Sequence, residues 1–276
     1  MDIGKYNTLE VVRKTSVGFY LTDGVTEVLL PKKYITDKIQ LGYKDAFFVY
    51  KDHQHRWIAT TQKPYALKGT FAYLKVSYTN KYGAFLEWGV EKDLFVPFAE
   101  QLHPMERNKK YVVYIFEDKK TERLVASSKI NKFIEHDNIE LEANQPVELM
   151  ILNATDLGFN VLIDGKYKGL LYQNEVFRTL RIGDRLEGYI KQIRLDKKID
   201  VSLRPVGVEA VQDDTNRILE ELRQNGGFLR LSDNSHPEEI KSVLEMSKKS
   251  FKRAIGSLYK DRIIDIKEDG IYLLEK

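Results

Sequence analysis

Residues able to stack on a flat ring and to hold an anion fall together in one stretch of this sequence. Tyr82 and Phe85 flank Gly83 and Ala84, and Lys75, Lys81 and Arg123 lie in the same sequence unit. Exposed aromatic rings take nucleobases by stacking, worth ~1–3 kcal/mol per base, while lysine and arginine pair with phosphates. Residues three apart on a regular strand point to opposite faces, so spacing alone does not bring both rings to one surface. Packing in a core is the competing role, more so for Phe85 than for Tyr82.

A second concentration of charge lies near the C-terminus. Lys248, Lys249, Lys252, Arg253, Lys260 and Arg262 stand against the single acid Asp261. On a helix, the first four fall opposite Phe251, Ile255 and Leu258. Such a face suits phosphates or a groove, a protein surface, or plain solvation. Glu268 and Asp269 follow in a turn and would repel a phosphate backbone.

Catalytic constellations are scarce. There is no P-loop, GxGxxG, HExxH or GxSxG. His53-Gln54-His55 reads as a hairpin loop rather than a metal site, and His103, His136 and His236 fall in loops or caps. Glu117-Asp118 and Asp213-Asp214 suit turns and helix starts. The expectation is a protein that is not an enzyme and uses no cofactor or metal.

The elements that must carry these residues follow from composition and periodicity. The chain has 276 residues, no cysteine and seven prolines, with 42% hydrophobic and 31% charged residues. Without cysteine there is no disulfide framework or thiolate metal site. The N-terminus lacks an apolar secretory core and no apolar run approaches a membrane span, so a cytoplasmic protein without a membrane partner is expected. The net charge of +3 is unevenly spread: +3 over 1–64, +3 over 65–130, −3 over 131–145, +2 over 146–206 and −2 over 207–276.

Texture changes near residue 207. Before it, short aromatic and β-branched runs alternate with turns, and they repeat. Each unit of about 60 residues has a glycine-led strand: Gly18-Phe19-Tyr20-Leu21, Gly83-Ala84-Phe85-Leu86 and Gly158-Phe159-Asn160-Val161. An apolar strand follows, Glu27-Val28-Leu29-Leu30-Pro31 and its counterparts at 93–97 and 168–172. Five strands per unit is the count of an OB-fold barrel. After residue 207 the spacing of Ile218 and Leu222, then Ile240 and Leu244, then Phe251, Ile255 and Leu258 predicts three helices. Ser235-His236-Pro237-Glu238 reads as a capping box and Ser247 as a cap. Phe228-Leu229-Arg230-Leu231 supplies a strand, and the runs 263–266 and 271–274 a terminal hairpin.

The fold expected is mainly β with a C-terminal α+β domain: three tandem five-stranded OB-fold barrels followed by a winged helix. The divisions are 1–63, 64–130, a linker at 131–145, 146–206 and 207–276. Residues 127–141, with Ile130, Phe133 and Ile134, read as a helical linker joining the second and third barrels.

The third unit resembles an S1-type RNA-binding domain through its glycine-led strand, Gly169-Leu170-Leu171, Ile182-Gly183-Asp184 and Val201-Ser202-Leu203-Arg204. Tyr82-Gly83-Ala84-Phe85 resembles the same domain's aromatic-glycine-x-aromatic element, while the first unit is divergent. The whole order, with Lys248 to Gly256 similar to a signature helix, resembles the conserved virulence factor B family of bacteria. That resemblance implies a non-enzymatic, RNA-binding regulator with single-stranded RNA as partner. It also implies that Tyr82, at a loop–strand junction, reaches the ligand groove together with Phe85. The paired positions are Val17 and Tyr20 in the first unit and Leu157 and Asn160 in the third. A position that often holds a stacking histidine is Pro31, Pro97 and Tyr172. Tyr172, with Lys168, Arg194 and Arg204 as phosphate contacts, makes the third unit a mainly electrostatic site. The second is the best aromatic site and the first is mostly architectural. Lys248, Lys249, Lys252 and Arg253 would add RNA, DNA or protein contacts. A DNA-binding transcription factor and a scaffold recruiting a nuclease or ribosome are the alternatives.

Overall fold

The computed structural model describes residues 1–52, 54–176, 178–205 and 208–274, without side-chain detail at 208–210. His53 and the expected boundary at 206/207 lie outside the described residues.

The β-rich part forms three closed five-strand barrels and the C-terminal part a winged helix. The first barrel is β1 (Tyr6–Lys14), β2 (Gly18–Thr22), β3 (Glu27–Pro31), β4 (Lys44–Lys51) and β5 (Trp57–Thr60). Its order is β1-β2-β3-β5-β4, with β3 and β5 parallel through Leu29 and Ile58. The second repeats this with β6 (Phe71–Asn80), β7 (Gly83–Glu87), β8 (Leu94–Pro97), β9 (Lys110–Asp118) and β10 (Arg123–Ser127). The third does so with β11 (Pro146–Thr155), β12 (Gly158–Ile163), β13 (Tyr167–Tyr172), β14 (Arg185–Ile193) and β15 (Ile199–Ser202). The winged helix comprises α1 (Val208–Gln224), β16 (Phe228–Leu229), α2 (Pro237–Leu244), α3 (Lys248–Lys260), β17 (Ile264–Lys267) and β18 (Gly270–Leu273).

The glycine that opens each second strand is required by close approach. A Cβ on Gly83 would lie 2.2 Å from the Val96 carbonyl oxygen, and one on Gly158, at φ 143°, would lie 2.1 Å from that of Leu171. A side chain at either place would push the neighbouring strand away.

Residues 1–134 form one compact unit and residues 135–276 a second. In the first unit, Phe48, Tyr50 and Ile58 of the first barrel join Val76, Leu86, Trp88 and Val96 of the second in a single core. Phe48 is fully buried and meets Trp88 edge to face at 5.5 Å. Lys51–Glu122 (2.8 Å), Lys68–Asp2 (2.7 Å) and Lys33–Glu91 border this joint. In the second unit the third barrel and the winged helix keep separate cores, around Leu149, Ile151 and Val201 and around Leu222, Phe251 and Ile255. Their link is ionic. Arg204, just past β15, donates to Asp214 of α1 (3.0 Å) and to the carbonyl oxygens of Leu244 (3.4 Å) and Glu245. Asp214 is 2% exposed and also meets Arg253 of α3 at 3.4 Å.

Two local expectations are corrected. The stretch 127–141 is not a helix: it holds only a 3-10 turn, Ile130–Phe133. Its apolar residues serve two barrels instead of one stripe. Phe133 stacks on Tyr114 of β9 at 4.1 Å, whereas Leu141 enters the core of the third barrel. Glu135 then accepts from the N–H groups of His136, Asp137 and Asn138, closing a turn where a helix would have to continue. The cap of α2 is His236, not Ser235. Pro237 takes the first helical position, Nδ1 of His236 accepts from Glu238 N–H, and Glu239 accepts from His236 N–H at 3.0 Å. The Ser235 hydroxyl instead accepts from Ser232 N–H at 2.9 Å. Ser247 caps α3 as expected, accepting from Ser250 N–H at 3.1 Å.

Candidate nucleic-acid interface

Each barrel has an irregularity at the same place in its first strand, between Val11 and Arg13, Val76 and Tyr78, and Ile151 and Asn153. The extra residue shifts the strand's alternation, so the residue after the bulge aligns with the outward-facing residue of the next strand. A three-membered outer rung results. It is Arg13–Tyr20–Leu29 in the first barrel, Tyr78–Phe85–Phe95 in the second and Asn153–Asn160–Leu170 in the third. The flanking residues point inward: Leu21 and Leu30, Leu86 and Val96, Val161 and Leu171 are all buried.

The second barrel's rung is a stack. Tyr78 and Phe85 are parallel within 8° at 4.4 Å, and Phe85 meets Phe95 at 4.9 Å. Phe85 is therefore covered on both sides, and Tyr78, 44% exposed, ends the stack. Tyr82 occupies the two-residue turn between β6 and β7, where its N–H donates to Asn80 Oδ1 at 2.8 Å. It is 62% exposed, and Lys81 Nζ lies 5.1 Å from its ring. Tyr82 and Phe85 thus both reach the surface, the first from a turn and the second from an outward strand position. Tyr78 and Phe95 are members of the surface that sequence reasoning missed. Phe95 was findable, since it alternates with Leu94 and Val96, but the bulge at Ser77 hides Tyr78. Lys75 pairs with Glu87 at 3.1 Å, and Arg123 is 2.7 Å from His55 Nε2 at the joint with the first barrel.

The first barrel's rung ends in a plane of a different kind. The Arg13 guanidinium lies 3.7 Å over the Tyr20 ring and pairs with Glu27 at 2.7 Å. The third barrel's rung is polar, with Asn160 Nδ2 donating to Asn153 Oδ1 at 3.3 Å. Val17 and Leu157, the counterparts of Tyr82, are exposed aliphatic residues. Beside the third rung lies an open groove of about 800 Å³ whose charged lining is Lys168, Lys197 and Lys198 with Asp137, Asp156 and Asp196, two of the lysines being paired with aspartates. Tyr172 is half-buried and accepts from Arg194, whose guanidinium also clamps the buried Asp200 through bonds of 2.8 and 2.9 Å. Arg204 is held at the winged-helix joint, where burial lowers its pKa. Of the four candidates in this barrel, only Lys168 lines the groove.

In the winged helix Phe251, Ala254, Ile255 and Leu258 are buried, so the cations of α3 lie off the core stripe. Lys248 donates to the Ser235 carbonyl oxygen at 2.9 Å, Lys252 is 3.7 Å from Asp233, and Arg253 meets Asp214. Lys249 is exposed. Among the described residues no group of three His, Asp or Glu side chains is placed to hold a metal ion, and no helix is long and apolar enough to cross a membrane.

Tandem OB barrels with a terminal winged helix place the chain in the class of modular proteins built from nucleic-acid-binding folds. A family model described as an S1 domain matches residues 3–62, and one described as a CvfB-like winged helix domain matches residues 216–273. The S1 match falls on the barrel whose sequence looked most divergent. Conserved virulence factor B of Staphylococcus saprophyticus is 27% identical over 99% of this chain and 95% of its own length. The protein of the same name from Staphylococcus aureus is 29% identical over 87% of this chain and 82% of its own. The YitL protein of Bacillus subtilis is 27% identical over 95% and 90%. A crystal structure described as a multidomain protein with nucleic acid binding domains, from Streptococcus pneumoniae, covers 99% of this chain and 98% of its own at 22% identity, with a TM-score of 0.42. Over most of its length the chain is thus similar to proteins named conserved virulence factor B, and its two ends match an S1 domain and a CvfB-like winged helix domain.

Proposed function

We propose that this protein is a cytoplasmic, non-enzymatic regulator that binds single-stranded RNA on the outer faces of its barrels. The observation that carries the reading is the stack Phe95–Phe85–Tyr78 with its exposed end, beside the exposed ring of Tyr82. A base laid on Tyr78 extends an existing stack, at ~1–3 kcal/mol per base and without regard to its identity. Duplex DNA keeps its base faces covered and gains nothing from such a surface. An operator-binding reading led by α3 has less support, because Lys248, Lys252 and Arg253 are occupied by groups of the chain itself and the wing carries Glu268 and Asp269.

The experiment is a titration of the protein with one labelled single-stranded RNA and one DNA duplex at two salt concentrations. RNA should bind more tightly, with a log–log salt slope of roughly −0.7 per phosphate contact. Binding that prefers the duplex, or ignores salt, overturns the reading.

A further inference from the structure

The outer face of the first barrel runs into the second barrel. Tyr20, Leu29, Trp57 and Ile58 form one wall of an open groove of about 800 Å³, and Glu91 and Lys92, from the loop between β7 and β8, also line it. One residue further along that loop, Asp93 lies beside Ser77 and within electrostatic reach of Tyr78, the open end of the aromatic stack. Three consecutive residues therefore connect the two faces. Their placement is rigid, because Phe48, Tyr50 and Ile58 share a core with Val76, Leu86 and Trp88.

Acids and bases are balanced around the groove, Glu27, Asp52 and Glu91 against Lys33, Arg56 and Lys92, but they are unevenly paired. Glu91 is already satisfied by Lys33 and the Tyr34 hydroxyl. Lys92 is half-buried, and its ammonium donates to the Lys51 carbonyl oxygen at 2.7 Å. Among the described residues no carboxylate lies within ion-pair distance of it: Asp52 acts on it only at longer range and is paired with Arg56, while burial lowers the Lys92 pKa, so a bound phosphate would supply a close countercharge. Tyr20, with one face under the Arg13 guanidinium, and Trp57, with Lys51 Nζ 5.3 Å from its ring, line the same groove.

We propose that a single RNA strand runs from the first barrel to the second across this loop, with a base against the Tyr20 ring and a phosphate on Lys92. The proposal rests on the RNA reading above and assigns a binding role to the barrel that the sequence marked as architectural. Since the joint is rigid, the second contact is intramolecular and its ordering cost is already met.

The test uses the full-length protein with labelled uridine homopolymers of about 4 and about 16 nucleotides, the two ends of the ~4–16 occupied per OB barrel. The parent should bind the longer strand at least ~10-fold more tightly. Tyr20→Ala should remove most of that gain and Tyr20→Phe should keep it. Lys92→Gln should make the salt slope of the longer strand shallower by about 0.7. If Tyr20→Ala retains the full gain with length while Tyr78→Ala weakens both strands, the second barrel binds alone and the shared track is wrong. A loss of the gain in Tyr20→Phe equal to that in Tyr20→Ala also overturns it, because the ring is then not the contact. Failure of the parent to bind either strand defeats the RNA reading itself.

Discussion

The second and third barrels have one strand order and one bulge position, yet they fill the same rung with opposite chemistry. Tyr78, Phe85 and Phe95 make a stack whose end is open, while Asn153, Asn160 and Leu170 make a short polar row beside a groove lined by three lysines and three aspartates. Their cations differ as well. Lys75 of the second barrel is a surface partner of Glu87, whereas Arg194 and Arg204 of the third are drawn inward by Asp200 and Asp214. An arginine in a barrel is thus no sign of a phosphate contact until its acidic partners are known.

The largest effect should come from that inward arginine. Arg204→Met strips the buried Asp214 of its nearer partner, and breaking a buried pair costs ~3 kcal/mol or somewhat more, Arg253 offsetting part of it. Thermal or urea unfolding should show the loss, whereas Lys75→Met should stay within ~0.5 kcal/mol, as exposed pairs do. Equal losses in the two variants would erase the contrast between structural and surface cations.

The faces differ next. Tyr78→Ala and Tyr82→Ala should each weaken RNA binding by roughly 1–3 kcal/mol with little change in melting temperature. Asn153→Ala should leave affinity within about threefold, since no ring is removed there. If Tyr82→Ala lowers the melting temperature sharply while the folded fraction binds normally, its ring packs rather than stacks on RNA.

Transplanting the rung sharpens the comparison. Asn153→Tyr together with Asn160→Phe should tighten binding several-fold, the stack reforming across the same register with ~0.2–1 kcal/mol of cross-strand support. An unchanged affinity in a stably folded variant would mean that the groove, and not the rung, determines what the third barrel does.

The smallest effect concerns Asp93, beside Tyr78. Burial raises its carboxyl pKa, aided by Glu87 and opposed by the Ser77 hydroxyl. A carboxyl whose folded pKa is raised favours the folded state while protonated, and that contribution is lost as pH climbs through the raised value. Asp93→Asn should therefore melt higher than the parent at pH 7, the gap closing toward pH 4. A gap that widens on acidification would reverse the sign and the cause.

The strands were legible because their apolar runs are short and bounded by turns, and because three glycine-led runs recur at one spacing. The bulge was not, since a single extra residue at Ser77 leaves composition unchanged while reversing which side chains face out. For that reason Tyr82 and Phe85 could be read from the sequence as surface candidates and Tyr78 could not. The shared core of the first two barrels was hidden too: Phe48 reads as an ordinary strand residue, and only the fold shows that its partner is Trp88. The 127–141 stretch misled because Ile130, Phe133 and Ile134 have helical spacing, although Phe133 stacks on Tyr114 of the second barrel and Leu141 is buried in the third.

That shared core also has a consequence for the chain as it is made. Phe48, Tyr50 and Ile58 remain uncovered until the segments carrying Val76, Leu86, Trp88 and Ala126 have been added. At ~5–20 residues per second, ribosomes leave this apolar patch open for several seconds on each nascent chain. The first barrel is then complete in its strands but unfinished on one side, and slowing synthesis between residues 60 and 126 should raise the fraction of chains captured by chaperones or lost to aggregation.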